Sequence, residues 1–178
     1  MAPLKYWVWL SSLHGLRPKI RELLIEHFGS PREVYYAPDD EYRDVEGITP
    51  REMEILKNKD LEPSLEILDR CMEGKIRILT MQDAEYPRRL LNIYDPPAVL
   101  YVRGNLPVVD EEPAVAIAGT RKASPYGIKM AMRMGYEITR GGGLIVSGLA
   151  EGIDSAGARG ALRAGGSCVG VLGTAIDV

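Results

Sequence analysis

The sequence predicts an α/β protein in which a small all-helical N-terminal domain, of SAM or helix-hairpin-helix type, precedes a Rossmann-like parallel sheet with helices on both faces. Apolar residues recur at helical spacing as far as residue 73, and short apolar strands follow. From residue 113, strand, Gly-rich turn and helix alternate, which is typical of a covered parallel sheet. We therefore expect a helical domain at 1–73, a connector with the first strands of an extended Rossmann-like domain at 74–112, and its core at 113–178.

Charge is distributed unevenly along the 178 residues. The net charge is −3, yet residues 113–178 carry seven Lys/Arg and four Asp/Glu, whereas residues 1–112 carry 15 and 21. A local positive field attracts a polyanion more than the net charge repels it, although chance alone also produces such an asymmetry.

The composition also indicates the cellular compartment and argues against a bound metal or cofactor. No apolar run reaches membrane length, and the N-terminus lacks the pattern of a secretion signal. Cys71 and Cys168 lie far from His14 and His27, so we expect no metal and no cofactor. A cytoplasmic protein without membrane contact is the simplest interpretation.

Helix signals order the first 73 residues. Tyr6–Leu10 opens an apolar helix, and a second helix carries apolar residues at three- and four-residue spacing before Gly29 ends it. Thr49 is placed to cap a third helix, with Pro50 at its first position and Glu52 three residues after the cap. A last helix is expected from Leu61 to about Cys71.

Two similar turns precede helices in this segment. Leu13–Pro18 and Val45–Pro50 share an apolar-x-Gly-apolar pattern, which helix-hairpin-helix modules use to offer backbone N–H groups to DNA phosphates. An ordinary turn that needs glycine for its backbone angle explains the pattern equally simply. The acidity of the segment favours the ordinary turn.

In the connector, Ile76–Leu79 and Val99–Val102 are predicted strands, and prolines between them predict irregular structure. In the core, Ala114–Ala118, Leu144–Ser147 and Ser167–Leu172 are predicted strands, whereas the helices are predicted at Tyr126–Arg140 and Ile153–Ala164. Right-handed crossovers place the three intervening turns at one sheet edge, beyond the carboxyl ends of the strands.

The converging turns predict a phosphate-binding crevice. Glycine lets a backbone approach a ligand closely, and helix N-termini direct N–H groups and partial positive charge into the same space. Arginine adds a fork that matches phosphate oxygens, and hydroxyl groups add donors. The predicted DNA- or phosphate-binding residues are Gly119, Thr120, Arg121, Lys122, Ser147, Gly148, Leu149, Ala150, Gly152, Arg159, Gly173 and Thr174.

Binding is favoured over catalysis. Asp154 is the one carboxylate placed with assurance at the crevice, and a single carboxylate does not supply a paired acid and base. We expect Asp154 to cap its helix or to orient a loop, in preference to contacting a ligand. The sequence contains neither a GxxxxGK[ST] loop nor a GxGxxG fingerprint after the first core strand. No catalytic residue is therefore predicted.

Four ordered motifs resemble the DprA/Smf (DNA-processing protein A) family. Ala116–Gly127 is similar to its VGSR-x-AS-x-YG signature, and Ile145–Asp154 to VSGLA-x-GID. Arg159–Leu162 with Gly165-Gly166 resembles the continuation, and Tyr86–Gly104 the YP…L…DPP-x-LY-x-G entry.

The resemblance implies a protein that binds single-stranded DNA, acts in natural transformation, helps to load RecA and forms homodimers, with Arg121 as a DNA contact. The sequence departs from the family pattern in two places, which limits what the resemblance implies. Gly157-Ala158-Arg159 replaces the family's Ala-His-Arg, and the family sheet continues past the position of Val178. We therefore expect a truncated member whose RecA and dimer residues lie beyond this sequence and whose exposed strand could pair with another copy.

An enzyme of a related Rossmann-like type is the alternative. The LOG-type phosphoribohydrolases share such a fold but carry a PGGxGTxxE signature, which is absent from these 178 residues. A structural protein whose glycines serve packing alone would leave Arg121 and Lys122 beside the first turn unexplained.

Overall fold

A computed structural model describes residues 4–177, and the chain divides into two compact units. One unit extends to Arg103, and the other runs from Gly104 to Ile176. Along the described range no helix combines the length and the apolarity that crossing a membrane requires.

The first unit is mainly helical. Its helices are α1 (Leu4–Ser12), α2 (Pro18–Phe28), α3 (Pro31–Tyr36), a 3-10 helix (Glu41–Asp44), α4 (Pro50–Leu56) and α5 (Glu62–Glu73). Strands β1 (Ile76–Thr80) and β2 (Val99–Arg103) flank the single turn of α6 (Arg88–Leu91). The expected helices are present, whereas α3 and the 3-10 helix were not anticipated.

The core of this unit forms around α1, whose buried side chains extend around most of the helix. Trp9 donates a hydrogen bond from Nε1 to the Asn58 carbonyl at 2.8 Å, and Tyr42 donates one to the Val34 carbonyl at 2.6 Å. Lys59 lies over the rings of Trp9 and Tyr42, and burial lowers its pKa to about 8. Aromatic faces and the Tyr42 hydroxyl, which accepts from Lys59 Nζ at 2.5 Å, therefore stabilise the Lys59 side chain at this core.

The connector strands differ from the expected arrangement. β1 and β2 pair antiparallel with each other, from Ile76 opposite Arg103 to Thr80 opposite Val99, and they pack against the helical core. They do not join the parallel sheet. The irregular structure expected between them includes α6, because Pro87 stands before its first turn, where a helix needs no N–H from proline. The proposed domain boundaries remain a prediction.

Glu52 links two helix beginnings in the first unit. Its carboxylate is 3% exposed and accepts from Arg17 Nε at 2.8 Å, Thr49 Oγ1 at 2.8 Å and Thr49 N at 3.0 Å. The expected capping box at α4 is therefore present. The Arg17 hydrogen bond, followed by those from Thr49, lowers the Glu52 pKa to about 2 against the opposing effect of burial.

Acid is expected to weaken this link. Because the pKa of Glu52 lies below its ordinary 4.5, its stabilisation is complete above about pH 4.5 and is lost as the pH falls towards 2. Glu52→Gln should lower the free energy of unfolding by about 2 kcal/mol at neutral pH, the size of a lost hydrogen bond to a charged group, and flatten this acid dependence, as measured by urea unfolding. Glu54→Gln, which breaks an exposed pair with Lys57, is the control and should change stability by no more than about 0.5 kcal/mol. Equal losses in both variants would contradict the assignment.

The second unit contains a parallel sheet. β3 (Ala114–Ala116), β4 (Leu144–Ser147) and β5 (Cys168–Gly170) lie in sequence order, joined by α7 (Pro125–Arg140) and α8 (Ile153–Arg163). The register places Val115 opposite Ile145 and Ile145 opposite Cys168. The α/β class with a parallel sheet is confirmed.

Both helices of this unit lie on one face of the sheet. The two crossovers advance in the same direction across β3, β4 and β5, so right-handed connections put α7 and α8 side by side. Gly157 approaches the Ile117 side chain, and Gly135 approaches the Gly157 carbonyl without room for a Cβ. Within the second unit α7 and α8 thus cover one face, whereas the apolar strands predict helices on both.

Candidate functional site

The three turns follow the carboxyl ends of the parallel strands, as expected. The first turn comprises residues 117–124, the second residues 148–152 and the third residues 171–174. All three belong to the unit that runs from Gly104 to Ile176. Parallel neighbours end at the same sheet edge, so the turns form one rim.

Asp154 joins the first turn to the second. Its carboxylate is 6% exposed, and Oδ1 accepts a hydrogen bond from the Gly119 backbone N–H at 2.9 Å. A Cβ on Gly148 would lie 3.0 Å from Oδ2, so the second turn also closes over this group. Ile153 N adds a hydrogen bond to the Thr120 carbonyl at 3.3 Å.

The expectation that Asp154 caps α8 is corrected by this arrangement. The N-cap residue is Gly152, and α8 has no side-chain cap. The Asp154 side chain instead orients the first turn, the second role considered from the sequence. A buried carboxylate needs a hydrogen-bond partner. The folded chain brings the Gly119 N–H to Asp154, so the side chain accepts from this distant donor and not from a backbone N–H at the start of its own helix.

Gly152 has a conformation that excludes a side chain. Its φ of 95° and ψ of −126° lie where residues with a Cβ are strained. A Cβ there would also overlap the Thr120 carbonyl oxygen. The glycine therefore permits contact between the two turns.

The second turn is also held to the third. Val171 N donates to the Ser147 carbonyl at 2.9 Å, and Gly170 leaves space for the Leu149 side chain. Leu149 has a φ of +53°, and its N–H points to Ser147 Oγ at 3.4 Å. Because Ser147 is 5% exposed, its hydroxyl shapes the turn from within.

The exposed groups of the rim are cationic and donor-rich. Arg121 and Lys122 are exposed and form no ion pair within residues 4–177. In the same range the backbone N–H groups of Thr120, Arg121 and Gly148 have no hydrogen-bond acceptor. Such an edge is able to bind an anion through main-chain donors and charge together.

The other residues predicted to bind DNA or phosphate lie at different distances from the first turn along the chain and differ in exposure. Gly173 and Thr174 are exposed in the third turn, and Ala150 is half-buried in the second. Arg159 is also exposed, but it lies six residues into α8, about 9 Å along the axis from Ile153. No hydrogen bond or ion pair joins Arg159 to the turns in the described part of the chain, so its ligand role stays a prediction.

Tyr126 was not singled out from the sequence, yet it stands beside the first turn. It is the second residue of α7, after Pro125 and the capping Ser124, and it is 71% exposed. An aromatic residue just after a Gly-containing turn that opens a helix was the available signal. Its exposed ring offers a surface on which a planar group can stack.

No histidine or cysteine belongs to the three turns of the described chain. His14 and His27 belong to the first unit, and Cys168 lies within β5. Residues 4–177 contain no cluster of His, Cys, Asp and Glu suited to a metal ion. The exposed Arg121 and Lys122 at the rim offer hydrogen bonding and positive charge.

Comparison with known proteins identifies the family. The family model for DNA recombination-mediator protein A matches residues 77–178. The chain belongs to this family. The resemblance inferred from the four motifs is thereby confirmed, and the match includes all three turns.

Curated relatives of this chain align with it over a longer range than the four motifs. Protein Smf of Synechocystis sp. is 32% identical over 97% of this chain and 44% of its own length. DNA processing protein DprA of Streptococcus pneumoniae is 39% identical over 65% of this chain and 36% of its own length. The chain thus spans less than half of these curated relatives.

A solved structure of the same family supports the fold. The crystal structure of DNA processing protein A from Streptococcus pneumoniae matches 98% of this chain and 59% of that chain. The TM-score is 0.73 at 27% sequence identity. The likeness includes the Rossmann-like domain that carries the turns.

Proposed function

We propose that this chain binds single-stranded DNA at the rim of the three turns and serves in DNA processing. The observation that carries the proposal is the Asp154-held pair of turns, which presents free N–H groups beside Arg121. Family membership supports DNA as the polyanion, since the matching family model describes a DNA recombination mediator.

The chemistry of the rim favours binding that is independent of base sequence. Main-chain N–H groups and arginine recognise phosphate, which every nucleotide shares. Charge contacts of this kind release counterions, so affinity should fall as salt rises. The exposed Tyr126 ring adds a stacking surface for an unpaired base. These are properties of a binding protein, and we propose no catalytic step.

The biological setting is also proposed. We infer that the protein helps to load RecA on incoming DNA during natural transformation, works in the cytoplasm and acts as a homodimer. The names of its relatives support a role in DNA processing. RecA and dimer contacts are not assigned to any residue of this chain.

Arg121→Ala is expected to weaken binding of a labelled poly-dT oligonucleotide by about 1–3 kcal/mol, because a charged hydrogen-bonding contact is lost. Titration at constant salt, followed by fluorescence anisotropy, measures the change. Arg43→Ala removes an arginine that is also exposed, but lies in the first unit, and serves as the control. Equal affinity of the Arg121 variant and the unaltered chain would remove the rim as the DNA site.

A further inference from the structure

The outer face of α7 carries a regular row of cationic and aromatic side chains. Tyr126, Lys129, Arg133, Tyr136 and Arg140 are all exposed and follow one another at alternating spacings of three and four residues. This spacing aligns them on one side of a helix. We call this row the α7 stripe; at 1.5 Å per residue it is about 21 Å long.

The α7 stripe carries a row of unpaired cations in the part of the chain that the structure describes. Its three cations form no ion pair within residues 4–177. Glu137, the one acidic residue of α7, is four residues after Arg133 and also forms no ion pair in the described range. Arg163 of α8 adds a further cation beside α7, since its guanidinium contacts Met132 Sδ at 3.0 Å.

The stripe begins at the predicted DNA site. Ser124 caps α7 through the Gly127 N–H at 3.1 Å, which fixes the helix start directly after the first turn. Arg121 and Lys122 therefore stand at one end of the stripe, with Tyr126 next along the chain. A strand bound at the rim has a continuous path of phosphate partners ahead of it along α7.

We propose that the α7 stripe is a second contact surface for the same single strand, which leaves the rim and runs along the helix. Lysine and arginine recognise its phosphates, and the rings of Tyr126 and Tyr136, 71% and 40% exposed, stack with unpaired bases. This inference rests on the proposed function of the rim. An acidic membrane surface fits less well, because the apolar face of α7 already packs against α8 and the sheet.

Oligonucleotide length separates the stripe from the rim. An oligonucleotide of about four nucleotides is short enough to occupy the rim alone, whereas one of about sixteen is long enough to follow both surfaces. Lys129→Gln with Arg133→Gln removes two charges at exposed helical positions, where glutamine preserves helix propensity. Arg32→Gln with Arg43→Gln removes the same charge from the first unit and is the matched control.

The stripe variant should bind the long oligonucleotide about tenfold more weakly at low salt, and its logarithmic salt slope should fall by about 1.4, the value for two lost phosphate contacts. Its affinity for the short oligonucleotide should match that of the unaltered chain, as should its thermal midpoint. An unchanged slope, or the same loss in the first-unit control, would overturn the stripe while leaving the rim intact. Loss of short-oligonucleotide binding in Arg121→Ala tests the rim separately, and failure of the unaltered chain to bind either length would remove both.

Discussion

Gly152→Ala is expected to separate the first and second turns and to abolish the predicted DNA site. The alanine methyl group would overlap the Thr120 carbonyl oxygen, and the backbone at φ 95° and ψ −126° disfavours any residue with a Cβ. Strain and overlap together should cost about 3–4 kcal/mol in the free energy of unfolding of the second unit. Hydrogen exchange at the β4 amides measures this stability, and poly-dT titration measures the site.

Gly165→Ala is the matched control for that variant. Gly165 also has a positive φ, of 82°, but an added Cβ there meets open space. Gly165→Ala should lower the free energy of unfolding by about 1 kcal/mol, from the backbone conformation alone, and leave DNA binding intact. If the two variants lost equal stability, close contact between the turns would not be the reason for glycine at position 152.

Gly160→Ala is expected to force α7 and α8 apart. Its Cβ would overlap the Met132 carbonyl oxygen, which belongs to the α7 backbone and has no rotamer through which to move away. We expect a loss of about 3 kcal/mol or more in the free energy of unfolding of this unit. Hydrogen exchange at Ile145 and Val146, buried or half-buried beneath the helices, measures the loss.

Gly127→Ala separates helix propensity from packing in the same helix pair. The nearest atom to an added Cβ there is Ile153 Cδ1 at 3.4 Å, an ordinary contact. Alanine favours the helix, so this variant should retain or gain up to about 1 kcal/mol. A large loss of stability in Gly127→Ala, or none in Gly160→Ala, would be inconsistent with glycine-mediated packing.

Local patterns predicted the elements whose causes are local. The capping box at Thr49 and Glu52 and the end of α2 at Gly29, with its φ of 87°, depend on residues within one helical turn. β4 occupies the predicted Leu144–Ser147 because a continuous apolar run between glycines has few alternatives. In contrast, the prolines predict irregular structure where α6 forms, because proline is excluded from a helix interior but not from the residue before its first turn.

The sequence predicted that the three turns meet at one sheet edge, but it did not predict the contacts between them. Strand order and right-handed crossovers bring the turns to one edge, and both follow from the alternation of elements. Sequence spacing alone did not show that Asp154 bonds to Gly119, thirty-five residues away. A pairing of this kind depends on how two elements pack against each other, which the periodicity of residues along the chain does not predict.

The sequence by itself determined the parallel α/β order, the three turns at one sheet edge and the family, because periodicity, glycine placement and motifs are properties of neighbouring residues. Only the tertiary structure decided that β1 and β2 pair with each other, that α7 and α8 share a face, and that Asp154 holds a loop in place of a helix end. The physical reason is that a buried donor, acceptor or apolar face takes whichever partner the packed chain brings within reach, and that partner is often distant in sequence.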